Sequence, residues 1–181
     1  MPSQQFIVIE GEGDPNEADF SERVSALYSL AYSIKMLFKS MMKDEAENKM
    51  TDFTVYPLEG IWEKAAGEGF DKSQLSYQLM IQQPNVITQD MYTVALEHVR
   101  KKKPNPLYDD ICWQSLPEER ALQVLHIGSY DSEPASFEKM DELASSLGLE
   151  RCDQVHREIY LSNKNRTPEE KLKTILRYSV R

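Results

Sequence analysis

The stretch Val155–Ser162, VHREIYLS, carries an imidazole, a carboxyl and a phenol at every second position: His156, Glu158 and Tyr160. In an extended chain alternate side chains share a face, so these three point one way while Val155, Ile159 and Leu161 point the other. One reading is a sheet whose polar face meets water. The other is a ligand cleft with Glu158 on its floor. In apolar surroundings without a cation, desolvation would raise the pKa of such a carboxyl and make it a proton acceptor near neutrality. If it stayed charged, the same group would pair with a cationic ligand.

Aromatic residues elsewhere are candidates for the walls of that cleft. Trp62, Tyr77, Trp113, Tyr130 and Tyr160 would, if they converge, form a box that excludes water and stacks a flat ligand. For Trp62 and Tyr77 the alternative is core packing, the commoner use of large rings. His126 and His156 are candidate proton relays, or histidines resting near water at strand ends. His156-x-Glu158 matches the H-x-E of zinc deaminases, but their P-C-x-x-C is missing, so no metal site is expected. Cys112 and Cys152 are far apart, outside any paired motif, and read as ordinary thiols; no cofactor is implied.

The elements that must position these groups follow from periodicity. QQFIVIEG reads as a strand, and Asp14-Pro15 as the start of a long helix with Phe20, Val24, Leu27, Ala31, Ile34, Phe38 and Met41 along one stripe. After KDEAENKMTD come two strands, TVYPLEGIWEK and LSYQLMIQQP, around the turn-rich AAGEGFDKSQ. RALQVLHIGSY, a helix through DSEPASFEKMDELASSLGL closed by Gly148, DQVHREIYLS and KTILRYSV repeat that order.

Setting GEGDPNEADF over GSYDSEPASF aligns Gly11 with Gly128 and Phe20 with Phe137, and Ile61-Trp62 falls over Ile159-Tyr160. The expected fold is α+β in a single domain, 1–181. It comprises two strand-helix-strand-strand pseudo-repeats, about 5–84 and 120–181, joined by a helical connection, 88–117. Antiparallel sheets would carry the helices on one side and leave the other side free for a cleft. Within the connection, Thr88 caps a helix that Arg100–Lys103 and Pro104 end. NPLYDDICWQSLP, with Tyr108 and Trp113, is long enough to form a flap over the cleft. Thr167-Pro168-Glu169-Glu170 reads as a capped turn of the scaffold.

A chain of 181 residues, 40% hydrophobic, buries a substantial core. A net charge of -9 disfavours a broad grip on nucleic acid, and Arg100–Lys103 is mostly a helix stop. The start lacks the pattern of a signal peptide and no later run suits a bilayer, so a cytoplasmic protein is expected.

LHIGSYDSEPASFEKM and HREIYLSNKNRTPEEKLKTILRYSV, together with YPLEGIWE and LSYQLMIQQPNVIT, resemble the GyrI-like small-molecule-binding family, in particular its stand-alone branch. The resemblance covers nearly the whole chain from Tyr56 onward. It implies the duplicated unit called SHS2, with a central groove whose carboxylate matches Glu158 and whose aromatic neighbour matches Tyr160. In this family some members are ligand domains of multidrug regulators, and some stand-alone members hydrolyse the cyclopropane of genotoxic compounds, a detoxification. The gyrase-inhibitor members act on a protein partner.

No helix-turn-helix precedes the domain, so direct DNA binding is not implied. Many relatives carry an aromatic where this chain has Glu63. The candidate catalytic residues are thus Glu158, Tyr160 and Tyr77, and the ligand-binding candidates Trp62, Trp113, Tyr130, His156, His126 and Tyr56. Three functions stay open: hydrolysis with Glu158 as general base, drug binding without catalysis, and contact with a protein such as gyrase.

Overall fold

The structure, a computed structural model, describes residues 1–44, 51–62 and 75–181. Glu63, the turn-rich stretch 65–74 and part of the 43–52 connection lie outside the described residues. Among the described residues, seven strands form one antiparallel sheet: β1 (Gln4–Glu12), β2 (Leu58–Trp62), β3 (Ser76–Gln83), β4 (Cys112–Leu116), β5 (Ala121–Ile127), β6 (His156–Tyr160) and β7 (Lys173–Ser179). Their spatial order is β4-β1-β3-β2-β6-β7-β5. The helices are α1 (Ala18–Met41), α2 (Gln89–Lys102) and α3 (Pro134–Ser146).

The period-two pattern of β1 divides the sheet into two unlike faces. Ile7 and Ile9 lie under α1, in a core with Leu27, Leu30, Ile34, Leu79 and Ile81. Phe6 and Val8 pack on the opposite face with Met80, Ile61 and Leu116. The first of these faces continues across the register Ile9↔Leu79, Leu79↔Gly60, Gly60↔Glu158 and Glu158↔Leu176. His156, Glu158 and Tyr160 therefore stand on the helix-bearing face. The expectation of a cleft on the helix-free side is corrected: α1 packs on β1 and β3, α3 on β5, and the central pair β2–β6 lies between them. The side of β6 that reads as apolar, with Ile159, faces away from the helices. There Arg157 joins it, ion-paired to Glu59 and stacked 4.8 Å over the Phe6 ring.

The two halves mirror each other across β2–β6, as β1-β3-β2 and β6-β7-β5. In the register that sets Trp62 over Tyr160, Gly60 falls over Glu158, and these two are themselves partners across the central pairing. Two residues along run the rows Trp62–Tyr77–Gly11 and Tyr160–Thr174–His126. A Cβ on Gly11 would lie 2.4 Å from Tyr77 Cε2, so the first row holds its large ring in the middle. The second row places a small Thr174 in the middle and a ring, His126, outside.

This register pairs Gly13 with Gly128, two residues away from the sequence alignment that used Gly11. Both have positive φ, 107° and 136°, where glycine avoids the Cβ penalty. Their N–H groups donate to matching carbonyls, Gly13 to Leu75 and Gly128 to Leu172.

Two further expectations change. α1 begins at Ala18, because the Asp14 carboxylate accepts from Asn16 N–H at 2.9 Å and forms a turn first. The segment 104–117 is no flap over the cleft. It makes a short 3-10 turn, Pro106–Asp109, then β4, which pairs with β1 at the outer edge of the sheet.

Candidate functional site

Strand alternation alone brings His156, Glu158 and Tyr160 together, and the sheet register adds Trp62 opposite His156. His156 Nε2 lies 2.8 Å from Glu158 Oε1, and the Tyr160 hydroxyl donates to Oε2 at 2.8 Å. Trp62 Nε1 donates to the Tyr160 oxygen at 2.8 Å. The result is a directed chain in which indole orients phenol and phenol orients carboxyl. Glu158 is 8% exposed, so the wet-face reading does not hold. His156, an ionisable group on the same strand face, touches this carboxyl. With two donors on it, Glu158 still has lone-pair sites to spare, since each carboxylate oxygen offers two.

Gly60 makes room for the arrangement. A Cβ there would lie 2.6 Å from Trp62 Nε1 and 2.9 Å from Tyr160 Oη. Burial and the adjoining Glu158 carboxylate push the Tyr160 phenol well above its ordinary pKa, so it stays protonated as a donor.

The rings around this chain are only partly those named from the sequence. Trp62 is stacked at 6.2 Å from Phe20 of α1 and tilted at 5.2 Å from Tyr77, and Phe20 meets Tyr77 edge-on at 5.2 Å. Tyr77 thus serves as a wedge behind Trp62, two strands from β6, and borders a groove with Asp19 and Arg23 instead of reaching Glu158. Tyr130 stands edge-on to Tyr160 at 6.2 Å. Burial, then Glu158 and Glu133, push its phenol up to about 12. Phe137 of α3 meets the His156 ring edge-on at 4.9 Å.

Three candidates lie elsewhere. Trp113 packs on Tyr92 of α2 at 5.7 Å, on the edge strand β4. Four strand spacings, roughly 19 Å, separate β4 from β6, so Trp113 is no part of the box. Tyr56 precedes β2 and is 40% exposed, with no ring or hydrogen bond joining it to Glu158. His126 is buried but fully engaged, its Nδ1 2.8 Å from Ser136 Oγ and its Nε2 2.9 Å from the Ser129 carbonyl, which fixes the turn entering α3. Among the described residues, no group of three or more His, Cys, Asp or Glu side chains is placed to hold a metal, and no helix is long and apolar enough to cross a membrane.

Sequence reasoning passed over Glu133. It stands at the N-cap of α3 and is 7% exposed; its Oε1 is buried without a hydrogen-bond partner. Burial first, and the Glu158 charge second, raise its carboxyl to about 9, so it is neutral at pH 7. The only sequence signal was an acidic residue before Pro134 at a helix start, which reads as a cap. An open groove of about 790 Å³ runs beside α3, lined by Pro134, Phe137, Asp141, Arg151 and His156. Its volume lies in the range of drug-sized ligands.

Comparison with known structures finds relatives of the whole fold. A structure described as an uncharacterized conserved protein from Listeria innocua matches with a TM-score of 0.86 and 31% identity over 99% of this chain and 89% of the other. One described as a hydrolase from Listeria innocua gives 0.85 and 30%, covering 99% and 88%. The EcmrR C-terminal domain shares the fold at 0.54, with 13% identity over 100% of this chain and 93% of that one. Comparison with curated proteins gave no match. The sequence model described as the GyrI-like small molecule binding domain matches residues 1–180, so it takes in the carboxylate, the indole and both halves of the sheet. The chain belongs to the GyrI-like small-molecule-binding domain family.

Proposed function

We propose that the chain binds a bulky, flat small molecule beside β6 and hydrolyses a strained three-membered ring in it, with Glu158 as the general base. The observation that carries this reading is the directed chain from Trp62 through Tyr160 to Glu158, with His156 on the other carboxylate oxygen. A carboxylate held by donors on both oxygens is fixed in orientation and can still accept a proton from water.

In the reaction the water oxygen bonds to the ring carbon, the adjacent ring C–C bond breaks, and its electron pair moves to a conjugated carbonyl oxygen. The proton leaving water goes to Glu158. Release of ring strain lowers the intrinsic barrier, so a positioned base and a proton donor are the main requirements. Tyr160 donates a hydrogen bond to Glu158 and Trp62 donates one to Tyr160, so both orient the base. Tyr77 supports Trp62 from behind. The hydrolase description of the Listeria innocua relative, 30% identical, supports the reaction class.

The test is incubation with an indole alkylator bearing a cyclopropane fused to a dienone, with chromatography of the ring-opened alcohol. Product from the unaltered protein and a loss of about 10²- to 10⁴-fold in Glu158→Gln is the expected result. Equal rates in the two would remove Glu158 from the chemistry.

A second reading, capture of a lipophilic cation without bond breaking, uses the same carboxylate beside the Trp62 and Tyr160 rings. Quenching of Trp62 fluorescence by such cations, with no product from the alkylator, would favour it.

A further inference from the structure

We propose that Glu133 is the proton donor of this site, delivering its carboxylic proton to the carbonyl oxygen that collects the electron pair as the ring opens; the assignment rests on the hydrolytic reading above. It fills a gap in that reading. The Trp62 N–H and the Tyr160 O–H are already committed, to Tyr160 and to Glu158. The carbonyl oxygen that collects the electron pair needs its proton from another group.

Glu133 has the features this role needs. It is 7% exposed, yet its Oε1 has no partner, an arrangement that costs stability unless the group serves a ligand. The groups that act on it are Glu158 from β6 and Tyr130 from the turn before α3. His126 of β5, near that turn, is occupied by Ser129, Ser132 and Ser136, and among the described residues no Lys or Arg forms an ion pair with Glu133. The open groove is lined by Pro134, the residue after Glu133, and by His156, the partner of Glu158.

Two carboxyl groups near one another cannot both ionise cheaply, and the more buried pairing keeps one proton between them. Here the proton rests on Glu133, raised to about 9 by its burial first and by the nearby Glu158 second. The step balances: water yields a proton to Glu158 and its oxygen to carbon, and Glu133 yields a proton to the product oxygen. Transfer of the proton from Glu158 back to Glu133 restores the starting state.

The experiment measures turnover of the same cyclopropane alkylator against pH for the unaltered protein, Glu133→Gln and Glu133→Asp, with binding followed by Trp62 fluorescence. The unaltered protein should lose activity as pH rises past about 9, where Glu133 ionises. Glu133→Gln, which keeps the shape but has no proton to give, should turn over about 10²- to 10⁴-fold more slowly with binding changed less than about threefold. Glu133→Asp should recover part of the rate, which a purely structural role would not require.

Full turnover in Glu133→Gln, or the same alkaline limb in it as in the unaltered protein, overturns the assignment while leaving Glu158 as base. No turnover by the unaltered protein overturns the hydrolytic reading itself. Should Glu133→Gln fail to fold, the unaltered protein's profile decides, because a flat profile through pH 9 also overturns the role.

Discussion

Replacing Gly60 by alanine tests whether the central pairing is built around a missing side chain. The added Cβ would sit 2.6 Å from Trp62 Nε1 and 2.9 Å from Tyr160 Oη, both well inside van der Waals contact. Trp62 cannot swing away, since Phe20 and Tyr77 hold it on two sides and it is 8% exposed. The sheet must part or the indole must leave its hydrogen bond. Overpacking of this kind costs about 1–3 kcal/mol, and losing the Trp62–Tyr160 bond adds about 1 kcal/mol. A total of about 2–4 kcal/mol, at a urea slope of about 2 kcal/mol per molar, lowers the denaturation midpoint by about 1–2 M.

Circular dichroism reads the midpoint independently of Trp62, while tryptophan emission should show a displaced indole. In a Tyr160→Phe background the 2.9 Å contact disappears and the 2.6 Å contact remains, so Gly60→Ala should cost about 1 kcal/mol less there. A midpoint shift below about 0.3 M, with unchanged emission, would show that the strands accommodate the methyl and that the tight fit has no energetic weight.

Trp113→Phe should leave ligand affinity and turnover within about twofold, because Trp113 packs on Tyr92 at the far edge of the sheet; a larger change in titrations of the groove would bring β4 back into the site. Glu59→Gln should cost about 3–5 kcal/mol in urea denaturation, since burial already pushes Glu59 up against Arg157 and its loss leaves the guanidinium buried and uncompensated. Replacing Glu59 and Arg157 together with Leu and Met should cost much less, and equal costs would refute the argument. Glu133 is raised from 4.5 to about 9 on folding, so its contribution to stability is complete below about pH 4.5 and is lost as pH climbs through 9. The urea midpoint of the unaltered protein should therefore fall between these limits more steeply than that of Glu133→Gln, and parallel profiles would show that Glu133 ionises alike in both states.

The elements were legible because their determinants are local. Thr88 does cap α2, accepting from Met91 N–H, and Gly148 at a φ of 64° closes α3. The sharing of a face by His156, Glu158 and Tyr160 followed from strand alternation. What alternation could not tell was which face the helices cover, because β6 is central and both its sides are largely buried: Arg157 and Ile159 on one, Glu158 on the other. An ion pair with Glu59 lets a polar residue occupy the side that reads as apolar. Trp113 and Trp62 look alike in sequence, and only strand order separates them. Glu133 was hidden for the converse reason: its burial is made by residues far along the chain, while its local signal is that of a helix cap.

The exchange of bulk between the rows Trp62–Tyr77–Gly11 and Tyr160–Thr174–His126 also bears on how such a chain assembles. Two halves with the same connectivity invite a strand from one to dock into the other while the protein is still forming. Were β5 to occupy the place of β1, the imidazole of His126 would collide with the Tyr77 ring, where even a methyl at Gly11 comes within 2.4 Å. In the opposite error, Gly11 beside Thr174 would leave a hole. Each wrong partnership is thus penalised by shape, once by a clash and once by a void, and the nascent chain is steered to keep its own strands.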